Sequence, residues 1–248
     1  MNKRIACGAC DGEPLPFAFT MAFHPIVDVM RGAVWGYEAL VRGIEGQSAC
    51  EILSQVTEAN RYRFDQACRV KAIELAALLF PADGAERLSI NFMPNAVYEP
   101  SACIRSTLEA ARRVQFDPRR IAFEFTENER ADAFHIKRIV HEYKRLGFVT
   151  AIDDFGAGYA GLTLLADFQP DMLKIDMELV RGIDGSPARQ AIVAGIMTIA
   201  RALSLTVIAE GVETSAELAS LRAAGIELFQ GFLFAKPEVE RLPRLERI

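Results

Sequence analysis

Two adjacent carboxylates, Asp153 and Asp154, end a short apolar run and are followed at once by a glycine-rich turn. A strand that delivers acids into a flexible loop is how α/β proteins present metal ligands at the mouth of a site. Neighbouring side chains on a strand point to opposite faces, so both acids serve one site only if the chain bends between them. Gly156, Gly158 and Gly161 permit such a bend. An exposed acidic turn is the alternative, because aspartate and glycine are common turn residues.

Polar or charged groups recur near the carboxyl ends of seven successive predicted strands. They are Glu38, Asn91, Glu124 with Glu127 just beyond it, Asp153 with Asp154, Lys174 with Asp176, Glu210 with Glu213, and Gln230. Each has an ordinary explanation, such as a solvent-facing acid or a turn cap. Seven in register are poorly explained by chance, because acids inside apolar strands cost free energy unless they are paired or bound to metal.

Carboxylate and amide oxygens form a hard ligand set that suits Mg²⁺ or Mn²⁺. The three histidines, His24, His135 and His141, are not placed for zinc. More acids are present than one Mg²⁺ usually takes from a protein, so a two-metal site for in-line attack on a phosphate ester becomes plausible. Arg42 could hold a phosphate with two hydrogen bonds. Lys174 could orient or help to deprotonate the attacking water, or stabilise anionic oxygens.

Strands and helices must alternate to bring these residues together. The pattern predicts strands at 17–25, 33–41, 88–91, 121–126, 149–153, 172–175, 206–209 and from 228 onward. Helical segments are expected within 48–80, at 101–113, 131–146, up to 168, and at 187–203 and 215–224. This alternation over about 250 residues is the size of a (β/α)8 barrel. The seven-residue link between the first two strands suits an antiparallel hairpin, because a parallel crossover needs about a dozen residues.

The composition excludes several classes of protein. The 248 residues are 51% hydrophobic and carry a net charge of −5, which is globular and disfavours binding to DNA. No apolar run approaches the roughly 18 residues of a membrane span, and the first residues lack the apolar stretch expected of a secretory signal. Five cysteines, an odd number, favour reduced thiols in a cytoplasmic protein. Residues 1–16 are predicted to be a flexible tail, in which Cys7 and Cys10 form an incomplete metal or redox motif, and residues 17–248 the barrel.

Several motifs together resemble one known family. They are HPIVD at 24–28, EALVR at 38–42, SINFMP at 89–94, FEFTE at 123–127, AIDDFGAGY at 151–159, LKIDMELV at 173–180, AEGVET at 209–214 and QGFLFAKP at 230–237. The three letters EAL are weak evidence alone, whereas the ordered set is highly specific. From about residue 17 to 237 the chain is similar to the EAL family of cyclic di-GMP phosphodiesterases.

This resemblance implies a TIM-like barrel whose first strand is antiparallel to the others. It also implies hydrolysis of cyclic di-GMP to linear pGpG with Mg²⁺ or Mn²⁺, two ions per site, which lowers a second messenger of bacterial signalling. Carried over by position, the metal ligands are Glu38, Asn91, Glu124, Asp153, Asp154, and with them Asp176 and Glu210. Lys174 and Glu210 assist the water, Arg42 holds a phosphate, Gln230 and Glu213 line the site, and Glu127 anchors the glycine loop. The family also implies a homodimer and allows a regulatory protein partner.

His24 stands where the family usually has glutamine, and Met93 where serine is common, which bears on substrate affinity. Two alternatives to an enzyme remain open. One is a catalytically silent cyclic di-GMP receptor that acts through a protein partner, and the other is an interaction protein without metal. The complete set of acids favours the enzyme, because the loss of one acid usually cripples a two-metal site.

Overall fold

The computed structural model describes residues 14–126, 133–158, 161–167 and 169–246. Most of the predicted tail, with Cys7 and Cys10, and the predicted loop anchor Glu127 lie outside these residues. The strands within them are β1 (Phe19–Asp28), β2 (Ala33–Gly43), β3 (Arg87–Asn91), β4 (Ile121–Thr126), β5 (Val149–Phe155), β6 (Met172–Ile175), β7 (Thr206–Ala209), β8 (Leu228–Phe229) and β9 (Glu238–Val239). The helices are α1 (Ala49–Leu53), α2 (Arg61–Leu79), α3 (Pro100–Cys103), α4 (Arg105–Arg113), α5 (Ala133–Arg145), α6 (Gly161–Asp167), α7 (Met177–Val180), α8 (Pro187–Ala202) and α9 (Ser215–Ala223).

Eight strands close into a TIM-like barrel, as predicted. Strands β2 to β8 are parallel in chain order, and β1 is antiparallel to both β2 and β8. The predicted hairpin is confirmed, but its link is shorter than expected. Strand β1 continues past residue 25 to Asp28, with a bulge between Ile26 and Val27, so that four residues and not seven connect it to β2.

The sequence did not predict β9, which completes the seam beside β1. Strand β8 has only two residues, and on its β1 side it pairs with Val27 and Asp28. The other half of β1 pairs with β9, where Ala22 lies opposite Val239. A two-residue strand has no periodicity of its own to detect, and it forms because β1 offers unpaired backbone groups at an edge.

Local capping signals set the ends of the helices. Ser48 and Glu51 form a capping box at the start of α1, and Ser186 caps α8 with Pro187 in the first turn, as predicted. The stretch predicted as one helix at 101–113 is instead divided at Ile104 into α3 and α4. Among the helices described, none combines the length and apolar character of a bilayer-spanning segment.

The barrel interior is filled in layers. Six strands each contribute one residue to a buried apolar cluster: Ile26, Ala122, Ala151, Met172, Ile208 and Leu228. Side chains on a strand return to the same face after two residues. The next inward-facing positions on β4 to β8 are therefore Glu124, Asp153, Lys174, Glu210 and Gln230. The fold thus places a layer of polar groups directly above an apolar plug, at the face where barrel enzymes carry their sites.

Candidate active site

Lys174 lies at the centre of the polar layer. Its side chain is 0% exposed on β6, and its ammonium is surrounded by carboxylates. Nζ lies 2.8 Å from Glu124 Oε2, 2.9 Å from Asp153 Oδ1, 2.8 Å from Glu210 Oε1 and 3.5 Å from Glu38 Oε2. Four strands therefore aim an acid at one buried cation, which brings together five of the residues singled out in the sequence.

The chain bends between the paired aspartates, as their shared role requires. The bend occurs at Asp154 itself, whose φ is 54°, and the pairing of β5 with β6 is irregular between Ile152 and Phe155. Asparagine and aspartate tolerate this left-handed conformation better than most residues. Gly156, with φ of 102°, then turns the chain away. The glycine assists the turn, but an aspartate makes the bend that was expected of the glycines.

The acids form two groups that share one member. Glu38, Glu124 and Asp153 each offer an oxygen within 4.8 Å of the others, and so do Asp153, Asp154 and Glu210. Within the part of the chain described, Glu124 Oε1 and Gln230 Oε1 are buried without a hydrogen-bond partner. Buried oxygens that lack donors fit a cation. The donor set, all oxygen, fits Mg²⁺ or Mn²⁺.

Two amides orient Glu38 on β2. Asn91 Nδ2 donates to Glu38 Oε1 at 2.7 Å, and Gln230 Nε2 donates to Glu38 Oε2 at 2.9 Å. His24 pairs with Glu38 across the hairpin, and its Nε2 lies 3.2 Å from the Ala235 carbonyl oxygen. Burial lowers the pKa of this histidine. His24 lies two residues before the inward-facing Ile26 on β1. This spacing is the sequence feature that indicates that His24 faces the site.

The charges in this layer do not balance. Burial alone would lower the pKa of Lys174, but the carboxylates around it, Asp153 first, hold that pKa well above its ordinary value. Burial raises the pKa of Glu124 to about 8 against the attraction of Lys174, and it raises the pKa of Glu210 well above the ordinary range. For Glu38, burial is outweighed by Lys174 and the two amides, and the pKa is lowered. One ammonium cannot neutralise these acids, and a divalent cation would supply the missing charge.

The protonation of Lys174 bears on the roles suggested for it. A charged ammonium has three donors and no lone pair, so it can orient a water or stabilise an anionic oxygen but cannot accept a proton. The arrangement thus favours a Lys174 that orients the water or stabilises an anionic oxygen over one that deprotonates the water.

Without metal, the protein is expected to lose stability as the pH rises from about 5 to about 8. The pKa of Glu124 is 4.5 ordinarily and about 8 here, so the folded protein binds this proton more tightly than the unfolded chain. Its contribution to stability is therefore complete at low pH and is lost as the pH rises through about 8. Melting temperatures in EDTA and in saturating Mg²⁺ would show this fall in EDTA alone. A fall of equal size in Glu124→Gln would assign the effect to other groups.

A cavity of about 350 Å³ opens above this layer. It is lined by eight of the predicted site residues: Glu38, Arg42, Asp153, Asp154, Asp176, Glu210, Glu213 and Gln230. Asn91 lies instead in the wall of an adjoining apolar cavity of about 490 Å³, beside Met93. Gly231 is required where β8 leaves the barrel, because a Cβ there would lie 2.1 Å from the Val212 carbonyl oxygen.

Asp176 and Glu213 have structural partners that the sequence did not reveal. Asp176 is the N-cap of α7, and its Oδ1 accepts a hydrogen bond of 2.8 Å from the Glu178 amide. Glu213 pairs with Arg181 at 2.8 Å on the rim of the cavity. Neither acid belongs to the two groups described above. Each still presents a carboxylate to the cavity.

Sequence reasoning missed Arg181 and Glu217. One oxygen of Glu217 accepts the Gly182 amide at 2.9 Å, and the other accepts the Glu213 and Thr214 amides at 3.0 Å each. This buried carboxylate therefore ties the loop after β6 to the loop after β7. The Thr-x-x-Glu spacing at 214–217, a capping box, was the available signal.

Comparison with known proteins gives matches over nearly the whole chain. The family model of the EAL domain matches residues 17–237. The blue light- and temperature-regulated antirepressor BluF of Escherichia coli is 35% identical over 90% of this chain and 55% of its own length. The cyclic di-GMP phosphodiesterase PA2567 of Pseudomonas aeruginosa is 30% identical over 88% of this chain and 38% of its own length. The chain thus spans about half, or less, of these curated relatives.

Solved structures match the fold closely. A standalone versatile EAL protein from Vibrio cholerae O395, in its c-di-GMP-bound form, is 56% identical with a TM-score of 0.90, over 94% of this chain and 98% of that one. BlrP1 of Klebsiella pneumoniae, as a manganese and cyclic di-GMP complex at pH 6, is 36% identical with a TM-score of 0.86, over 95% of this chain and 58% of that one.

Proposed function

The chain belongs to the EAL domain family, and on that premise we propose that it hydrolyses cyclic di-GMP to linear pGpG. The observation that carries the proposal is the intact acidic layer around Lys174, which supplies both groups of metal-binding acids. PA2567, which is named a cyclic di-GMP phosphodiesterase, and the cyclic di-GMP complex of the Vibrio cholerae protein support the choice of substrate.

We propose that divalent cations, Mg²⁺ or Mn²⁺, bind at this layer. Glu38, Asn91, Glu124, Asp153, Asp154 and Glu210 would hold them, with Asp176 at the margin. When bound, such ions activate a water and neutralise charge on the phosphate, and a pair of them suits in-line displacement. The manganese complex of BlrP1 supports the choice of metal.

The residues of the chain bind and orient the substrate. Arg42 faces the cavity and can donate two parallel hydrogen bonds to a phosphate. Lys174 orients the attacking water, and Glu210, whose Oε1 lies 2.8 Å from the Lys174 ammonium, receives the water's proton. The water oxygen bonds to phosphorus, the ester bond to one ribose 3′ oxygen breaks, and that oxygen takes up a proton. Gln230 and Glu213 form the wall that holds the dinucleotide.

The test is incubation of the purified chain with cyclic di-GMP in Mg²⁺, in Mn²⁺ and in EDTA, with chromatography of the products. We expect pGpG with either metal and none in EDTA. Failure to form product at any metal concentration, with the protein folded and saturated with nucleotide, would overturn the proposal.

A receptor without catalysis is the second candidate. The relative BluF is named an antirepressor, which describes action on another protein. Tight binding of cyclic di-GMP without turnover in the same assay would favour this candidate. The complete acid layer favours hydrolysis, because a receptor has no need of so many buried acids.

Replacement of Arg42 by lysine is expected to raise KM for cyclic di-GMP about tenfold and to change kcat less than about threefold. Lysine keeps the charge but cannot form the two-pronged contact with phosphate, and the loss of ground-state binding appears mainly in KM. The matched control is Arg31→Lys, because Arg31 is 82% exposed and lies in the hairpin link away from the cavity. An unchanged KM in Arg42→Lys would remove this residue from phosphate binding.

We also propose that residues 17–248 act as one domain, in the cytoplasm where a bacterial second messenger is found, and as a homodimer. Phe134 on α5 and Leu162 on α6 are 69% and 62% exposed, on helices that pack side by side. Exposed apolar side chains on neighbouring helices fit contact with a second copy of the chain or with a regulatory protein. Sedimentation of the wild type beside Phe134→Ser would decide, because a dimer held here dissociates in the variant.

A further inference from the structure

A second buried charge lies outside the acidic layer, on the outer side of the barrel wall. Arg69 on α2 is the largest of the fully buried side chains described, with 0% exposure. Its Nη2 lies 2.7 Å from Asp65 Oδ2, one turn earlier on the helix, and its Nη1 donates to Tyr143 Oη at 2.7 Å. This pair joins α2 to α5 behind the strands that carry Asn91 and Glu124.

Stability alone is a poor explanation for such a pair. Two charges removed from water pay a large desolvation cost, and apolar residues of similar volume are often as stabilising. Here three aromatic rings, of Phe92, Phe123 and Tyr143, lie 5.2 to 5.8 Å from the Arg69 guanidinium carbon. These cation–π contacts reduce the cost. Arg69 Nε nevertheless has no hydrogen-bond partner in the described part of the chain.

The second oxygen of Asp65 leads from this pair to the active site. Asp65 Oδ1 accepts a hydrogen bond of 2.9 Å from the backbone amide of Met93. The amide of Phe92 donates to the Glu124 carbonyl oxygen, also at 2.9 Å. The two residues after β3 are thereby fixed from both sides. Asn91, immediately before them, reaches Glu38 with its side-chain amide.

We propose that Asp65, oriented by Arg69, is a positioning residue that sets the backbone after β3 and so holds Asn91 toward Glu38 and the metal-binding acids. Without an acceptor at Asp65, the partly buried Met93 amide would lose its hydrogen-bond partner, which costs free energy unless the segment moves. A shift of the segment displaces the Asn91 amide. The inference rests on the proposed function only in taking Asn91 as a metal ligand.

Two double variants separate positioning from stability. Asp65→Asn with Arg69→Met keeps an oxygen that can accept from the Met93 amide, and Asp65→Leu with Arg69→Met removes it. Both variants remove the buried charge pair as a whole, so neither leaves an unpaired charge, and both are expected to fold. They differ mainly in the acceptor for one amide.

We would measure Mn²⁺ affinity by calorimetry and hydrogen exchange of the segment 91–93 in metal-free protein. The leucine variant is expected to bind Mn²⁺ about tenfold more weakly, because losing a group that supports a metal ligand commonly weakens metal affinity by about this factor. Its backbone amides at 91–93 are also expected to exchange hydrogen faster. The asparagine variant should stay within about threefold of wild type. Equal Mn²⁺ affinity in the two variants, or equal exchange, would overturn the proposal.

The kinetic assay of the wild type keeps this test apart from that of the proposed function. If the wild type binds Mn²⁺ but forms no pGpG, the phosphodiesterase proposal fails, while the comparison of the two variants still decides the role of Asp65. If the wild type turns over and the two variants bind Mn²⁺ equally, the positioning proposal fails alone.

Discussion

Replacement of Lys174 by methionine is expected to lower kcat for cyclic di-GMP about 10³-fold, with KM changed far less. The ammonium is held within 2.9 Å of acids from β4, β5 and β7, and in the proposed mechanism it faces the charge that develops on the attacked phosphate. Removal of one fixed donor of this kind costs roughly 10²- to 10³-fold in kcat. Methionine is close in volume and leaves the packing of β6 intact.

The same substitution is expected to make the stability of the folded protein depend more strongly on bound metal. In metal-free protein, four acids would lose their common partner, and removal of one member of a buried ion pair costs about 3 kcal/mol or more. Proton uptake by Glu124 and Glu210 would offset part of that cost. Saturating Mn²⁺ should therefore raise the melting temperature of the variant more than that of the wild type.

Lys137→Met on α5 is the matched control, because this lysine is exposed and lies away from the cavity. It should retain kcat, KM and the response to Mn²⁺. A folded Lys174→Met protein with kcat within tenfold of wild type would show that the lysine has a structural role only.

The fold was largely predictable because its local signals agree. Strands β4, β6 and β7 begin and end where their short apolar runs predicted, and Ser186 with Pro187 marked the start of α8. The seam between β1 and β8 was not predictable. Strand β8 pairs with the last two residues of β1, and β9 pairs with the earlier residues Ala22 and Phe23, whose edge β8 leaves open.

The candidate site was predictable where one strand position decided it. A period of two residues turns Glu124, Asp153, Lys174, Glu210 and Gln230 to the same interior. Contacts between segments that are distant along the chain leave no such pattern in the sequence. The left-handed backbone of Asp154, the cap made by Asp176 and the bond from Met93 to Asp65 each depend on where another part of the chain lies.

Replacement of Asp153 by asparagine is expected to abolish detectable turnover, with a loss of at least about 10⁴-fold, because this residue serves both metal-binding groups. Asparagine has the same shape and can still face Lys174, so the fold should persist. It carries no charge and offers one oxygen in place of two. Metal binding should therefore weaken at both positions together, and Mn²⁺ titration by calorimetry should detect less than one ion per chain at concentrations that saturate the wild type.

Glu38→Gln is the variant with which Asp153→Asn is compared, because it tests whether the two groups bind metal separately. Glu38 belongs to one group only, so the group of Asp153, Asp154 and Glu210 remains whole in that variant. We expect it to keep about one Mn²⁺ per chain while losing most turnover, since in-line displacement needs both positions. Asp83→Asn, an exposed acid in the loop before β3, should bind two ions and turn over normally. If Asp153→Asn and Glu38→Gln lost the same number of ions, the two groups would not be separate binding positions. A single ion held by all the acids would then replace the two-metal arrangement.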